Sequence, residues 1–207
     1  MTNKNYTHIA VIVDRSGSMI SIAEDMKGGL TEYFKGQASI PGKVLVDYAQ
    51  FDTVYELVYQ DKPIADASVG LRPRGGTALL DAIGKTVVTL GEKLAAQSED
   101  ERPDKVLVII ITDGHENSSR EWNKDAVKKL VAQQTDDYNW QFVFLGANMD
   151  AVDVAGGLGI STDSSLTYSA NSVGTAGVMA SLNTFTKTYR GKGKASFTDD
   201  DRQKATS

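Results

Sequence analysis

Apolar residues come in short unbroken runs separated by polar, glycine-bearing turns. The first run, Thr7-His-Ile-Ala-Val-Ile-Val13, is nearly continuous, the pattern of a strand covered on both faces. After Asp14-Arg-Ser-Gly-Ser18 the period lengthens. Ile22, Met26, Leu30 and Phe34 recur every fourth residue and predict a helix over 20–34 with one buried stripe. Past the Pro41-Gly42 break, Lys43–Phe51 and Thr53–Tyr59 predict two strands joined so tightly that they pair antiparallel. Arg74-Gly75-Gly76-Thr77 leads into a helix over 78–97, its stripe carried by Leu79, Ile83, Val87, Leu90 and Leu94. A polar loop over 97–104 precedes Lys105–Thr112, the most hydrophobic stretch and the predicted centre of a sheet. It ends in Asp113-Gly114.

A helix over 122–134, a strand over 140–145, a weaker helix over 149–155, a strand over 165–168 and a helix over 172–189 complete the order. Strands alternating with crossover helices predict an α/β fold. Its sheet is doubly wound and mostly parallel, with one antiparallel edge strand and helices on both faces. Residues 1–190 read as one domain. The segment 191–207 reads as a C-terminal tail, short of apolar residues apart from Phe197 and open to protease, with Thr198 and Asp201 placed to cap a brief helix.

Composition narrows the function. Against 22 Lys and Arg stand 27 Asp and Glu, a net charge of −5 over 207 residues that disfavours a broad nucleic-acid surface. With no cysteine and 2 histidines, Cys-ligated zinc, thiol nucleophiles and multi-histidine metal sites are excluded. No apolar run approaches the ~18–20 residues of a membrane span, and the start lacks the apolar middle of a signal peptide, so a cytoplasmic setting is expected. Gly84-Lys85-Thr86 has Leu79 where a phosphate-binding loop needs its first glycine, and it falls inside a predicted helix.

Oxygen is what the pattern concentrates. In open α/β sheets, ligands bind beyond the carboxyl ends of the strands. There the chain places Asp14, Ser16, Ser18, Thr77 and Asp113, carboxylates and hydroxyls without nitrogen or sulfur, which is the donor set of a hard divalent cation. Asp14-x-Ser16-x-Ser18, Gly76-Thr77 and Thr112-Asp113-Gly114 resemble, in order and separation, the metal-ion-dependent adhesion site (MIDAS) of von Willebrand factor A (vWA) domains. The likeness runs from about Thr7 to Tyr189.

That resemblance implies that Ser16, Ser18 and Thr77 are hydroxyl ligands, and Asp14 and Asp113 acidic ones, of Mg2+, with Mn2+ or Ca2+ as alternatives. It also implies a non-enzymatic protein–protein interaction module of the stand-alone intracellular type, expected from a prokaryotic or phage source. Its partner would present an Asp or Glu carboxylate to the cation. Two other readings stay open: a magnesium-dependent hydrolase using Asp14, Asp113 and His115, with Glu116 beside it, and an RNA-binding scaffold. Arg15, Arg72 and Arg74 are expected on the same face, as solvated loop residues or as an attraction for an acidic partner. Trp122 is expected near the site, as packing or as a partner contact.

Overall fold

Buried runs and amphipathic helices resolve into one six-stranded sheet of order β3-β2-β1-β4-β5-β6, in a computed structural model that describes residues 2–207. Strands β1 (Asn3–Asp14), β2 (Lys43–Phe51), β4 (Pro103–Thr112), β5 (Gln141–Ala147) and β6 (Ser165–Tyr168) run parallel. At one edge β3 (Tyr55–Pro63) pairs antiparallel with β2. The two central strands are buried because helices cover both faces. Side-chain alternation then divides the core. Ile9, Val11, Val13, Ile109 and Ile111 pack in the layer of α1 (Ala23–Ala38) and α5 (Ser172–Lys192). Ala10, Ile12, Val108 and Ile110 pack in that of α2 (Leu79–Ala96), α3 (Lys124–Tyr138) and α4 (Ala151–Gly157). From β1 the chain winds outward to β2 and β3, then returns to lay β4 on the other side of β1. That reversal opens a crevice at the carboxyl ends of β1 and β4. Among the described residues no helix is long and apolar enough to cross a membrane.

Several boundaries move for local reasons. The α-helix after β1 starts at Ala23, because residues Gly17–Ile22 form a tighter 3-10 turn. It continues past Phe34 to Ala38, where Gln37 bonds the backbone carbonyl of Asn183 on α5. Thr53 belongs to the turn rather than to β3, since Asp52 Oδ1 accepts the Val54 amide at 2.8 Å and closes a loop there. Trp122 precedes α3, which Asn123 caps by accepting the Ala126 amide.

The expectation of little burial in 191–207 is corrected. Helix α5 ends at Gly193 in the left-handed conformation, and the chain turns back onto the domain. Phe197 is buried, its ring 4.7 Å from that of Phe185. Thr198 and Asp201 form a capping box that starts α6 (Asp199–Ala205). The backbone of Lys204 and Ala205 then settles on Gly174 and Gly177 of α5, where side chains would block it. One aromatic anchor and a glycine notch seat the segment.

Candidate metal centre

Asp14 closes β1 beside the end of β4, and its carboxylate is tied at both oxygens. The Ser16 amide donates to Oδ1 at 2.6 Å and the Thr112 hydroxyl to Oδ2 at 2.6 Å. At the head of the 3-10 turn that follows, Ser16 Oγ and Ser18 Oγ lie 3.0 Å apart, and Ser18 Oγ donates to Asp113 Oδ1 at 2.6 Å. Thr77 enters from the loop ahead of α2. A β-carbon placed on Gly114 would stand 3.0 Å from Thr77 Oγ1 and 3.6 Å from Ser18 Oγ. The structure thus brings together all the residues nominated from the sequence, Asp14, Ser16, Ser18, Thr77 and Asp113.

The surrounding loops are locked by Glu116 and Trp122, and by Asn117 and Asp81, which the sequence did not single out. Asn117 holds Thr77 twice: its side-chain oxygen accepts the Thr77 amide at 2.9 Å, and its own amide donates to the Thr77 carbonyl at 3.0 Å. Glu116 is fully engaged. One oxygen accepts the Ser118 and Ser119 amides, and the other accepts the Leu80 amide and the Ser119 hydroxyl. Asp81 accepts the Arg120, Glu121 and Trp122 amides; burial opposes its ionisation, yet those bonds hold its carboxyl below the usual range. Trp122 is a packing residue, its ring lying on Gly84, and this accounts for the glycine of Gly84-Lys85-Thr86.

Arginine placement departs from the sequence expectation in part. Arg15 is buried, 6% exposed, with Nε 2.8 Å from Asp52 Oδ2 and a further ion pair to Glu56. Arg74 reaches the same Asp52 oxygen at 2.8 Å from the solvent side. Burial would raise the Asp52 carboxyl, but bonds from Arg74, the Val54 amide and Arg15 keep it low. Asp52 therefore ties the loop bearing Ser16 to the loop bearing Thr77, which Gly75 enters at φ 68°, a conformation suited to glycine. Arg72, Arg74 and His115 are exposed.

Charge at the centre is under tension. Burial pushes Asp14 up to about 6, against the lowering bonds from Thr112 and Ser16, and the charge of Asp113 adds to the rise. Asp113 is raised as well, chiefly by burial. Tyr168, at the end of β6, has a fully buried hydroxyl with no hydrogen-bond partner among the described residues. Burial, then the charges of Asp113 and Asp14, raise its pKa. Two partly uncompensated carboxylates, converging hydroxyls and an unpaired buried phenol suit a small hard cation.

A second group of possible ligands, His8, Asp47 and Asp61, has ligand atoms within 4.8 Å of one another. It already contains a cation: Lys93 Nζ lies 3.1 Å from Asp47 Oδ2 and 2.8 Å from Asp61 Oδ1. The carboxylates also approach opposite ring nitrogens, Asp47 at Nε2 (3.1 Å) and Asp61 at Nδ1 (3.8 Å). That arrangement suits a partly buried ion-pair network better than one ion's coordination sphere.

Solved structures with the same architecture include the ArnB paralog VWA2 from Sulfolobus acidocaldarius, 18% identical with a TM-score of 0.53 over 89% of this chain and 44% of that one. A von Willebrand factor type A protein from Catenulispora acidiphila is 13% identical with a TM-score of 0.60, over 88% and 43% of the respective chains. The fold is that of a vWA domain. Proximal thread matrix protein 1 from the mussel byssus, solved with a zinc-occupied MIDAS motif, matches at 13% identity and a TM-score of 0.60 over 90% and 47%. The chain spans less than half the length of each of these proteins. No family model matches the sequence, and no curated protein does.

Proposed function

We propose that this vWA-fold domain is a metal-dependent protein-interaction module, with Asp14, Ser16, Ser18, Thr77 and Asp113 holding one divalent cation. The observation that carries the reading is the Ser18–Asp113 hydrogen bond of 2.6 Å, which joins the first turn to the third beside Thr77. Each hydroxyl that donates to a carboxylate keeps lone pairs for a cation, while the carboxylates offset its charge without enclosing it. The cation, when bound, supplies Lewis acidity toward a further oxygen ligand. The chain's own groups do the rest: Thr112 and Ser16 aim Asp14, Ser18 aims Asp113, and Asn117 fixes Thr77.

Neutral hydroxyls leave such a cation less compensated than an all-carboxylate cage would, so an anionic oxygen from outside is favoured. An Asp or Glu side chain of a protein partner fits, and exposed Arg72 and Arg74 add attraction for an acidic segment. The oxygen-only donor set favours Mg2+, with Mn2+ or Ca2+ next; zinc in the MIDAS motif of the mussel protein makes Zn2+ a further cation to titrate. A cytoplasmic setting remains part of this proposal. The hydrolase reading on Asp14, Asp113 and His115 draws no support from Glu116, which has both oxygens committed to the loop.

Calorimetric titration of Mg2+ into the purified domain and into Asp14→Ala tests the metal. Binding to the first and none to the second is expected. Partner capture with wild type and Thr77→Ala, in Mg2+ and in chelator, tests the interaction. Equal capture in all conditions would place the contact on another face.

A further inference from the structure

Tyr168 is an expensive choice where phenylalanine would fill the same space. Its side chain is 1% exposed and its hydroxyl has no partner among the described residues. A buried hydroxyl left unpaired is destabilising, so a use for it is expected in some state of the protein. Its location indicates which. Tyr168 ends β6 on the face shared with α1 and α5, and pairs with Ala147 of β5. Asp113 follows the next strand inward, β4, about 10 Å from the β6 end by strand spacing. Between them lies the end of β5, where Ala147 carries only a methyl group. The charges that act on the phenol are those of Asp113 and Asp14.

The neighbouring backbone holds Tyr168 in place. Its carbonyl accepts the Asn148 amide at 3.0 Å, and the next residue, Ser169, donates to the Ala205 carbonyl at 2.9 Å. Asp14 has donors on both oxygens, whereas Asp113 receives one side-chain hydrogen bond, from Ser18 to Oδ1. Asp113 is the carboxylate with acceptor capacity to spare.

Building on the metal-site reading above, we propose that Tyr168 is a positioning residue of the metal centre, its hydroxyl donating to the Asp113 carboxylate, directly or through one water, when the cation is held. Outer hydrogen bonds of this kind orient the ligating groups, and their loss typically weakens metal affinity about 10–100-fold.

Tyr168→Phe, titrated with Mg2+ and Mn2+ by calorimetry and melted without metal, tests the assignment. The expected result is a dissociation constant raised about tenfold, with a metal-free melting temperature that does not fall. The resonance line shape of bound Mn2+ should change as well. Tyr168→Leu serves as the packing control. If Tyr168 only packs, the leucine variant melts lower while the phenylalanine variant binds like wild type, which overturns the proposal. If wild type and Asp14→Ala both fail to bind either cation, the metal-site reading fails, and this proposal with it; that outcome is distinct from equal binding by wild type and Tyr168→Phe.

Discussion

The indole of Trp122 rests on the backbone of Gly84, so closely that any β-carbon there would run into the ring. The contact clamps the loop between β4 and α3, which carries Asn117 and Glu116, onto α2. Gly84→Ala should therefore destabilise the domain by about 1–3 kcal/mol through overpacking, although alanine is the better helix former. Urea unfolding measures this. A neutral or stabilising result would mean that the loop does not depend on the contact.

Cation binding should raise the melting temperature. At about 1 mM Mg2+ and a dissociation constant of about 0.1 mM, linkage gives about 1.4 kcal/mol. For a domain of this length that is roughly 3–5 °C. Asp14→Ala should abolish the shift. Ser18→Ala should only reduce it, because water can replace one neutral ligand. An unmoved melting curve after addition of chelator to verified metal-loaded protein would contradict the assignment.

The metal-free domain should show an inverted acid response at Asp14. Its carboxyl is raised to about 6, so folding favours the protonated form. The stabilisation from this group is complete below its unfolded value of 3.8 and is lost as pH rises through about 6. Read as a difference from Asp14→Asn, wild type should gain stability between pH 7 and pH 5. Protons and cation compete for the same oxygens, so apparent Mg2+ affinity should fall about tenfold over that interval. A pH-independent affinity would show that Asp14 does not take part.

Glu116 and His115 should separate cleanly. Glu116→Ala leaves the Leu80, Ser118 and Ser119 amides without their acceptor and should cost about 2 kcal/mol, with a weaker Mg2+ response. His115→Ala, at an exposed position, should change stability by less than about 0.5 kcal/mol. A metal-dependent phosphatase or nuclease activity lost in His115→Ala would revive the hydrolase reading.

Phe197→Ala should cost about 3 kcal/mol, the scale for a buried aromatic. Gly177→Leu should detach α6 by filling the space that the Lys204 backbone occupies. Limited proteolysis reads both: cleavage after residue 193 should be slow in wild type and fast in either variant.

Much of the fold and the candidate site was legible in the sequence. The strand spans 43–51 and 165–168 agree with it residue for residue, because turn-forming residues bound both, Pro41-Gly42 and Asp52 the first, Asp163-Ser164 and Ser169 the second. Asp14, Ser16, Ser18 and Asp113 were readable as candidates because they close or directly follow strands, and Thr77 because Gly75-Gly76-Thr77 leads into a helix. What supports them was not. Asn117, Asp52 and Asp81 act through loop contacts between residues distant in sequence, and loops carry no period. Tyr168 looked like any aromatic in a strand, since an unpaired hydroxyl is a property of packing. Phe197 had the right chemistry, but its partner Phe185 lies on another helix, as do Gly174 and Gly177, which seat the backbone of Lys204 and Ala205.

The way the last residues bond has a consequence for how the sheet meets other chains. An outermost strand offers a row of free carbonyls and amides on which a foreign peptide can continue the ladder. At the start of β6 and in the residues flanking it, part of that row is taken by the same chain. Arg202 holds the carbonyls of Ser165 and Thr162, the Phe197 amide takes that of Asp163, and the Ala205 carbonyl takes the Ser169 amide. At the opposite margin, β3 ends in charged Asp61 and Lys62 and in Pro63, which has no amide to offer. A protein trimmed before Phe197 would keep every proposed metal ligand yet expose an adhesive border, so self-association is the form in which loss of the C-terminus should first be noticed.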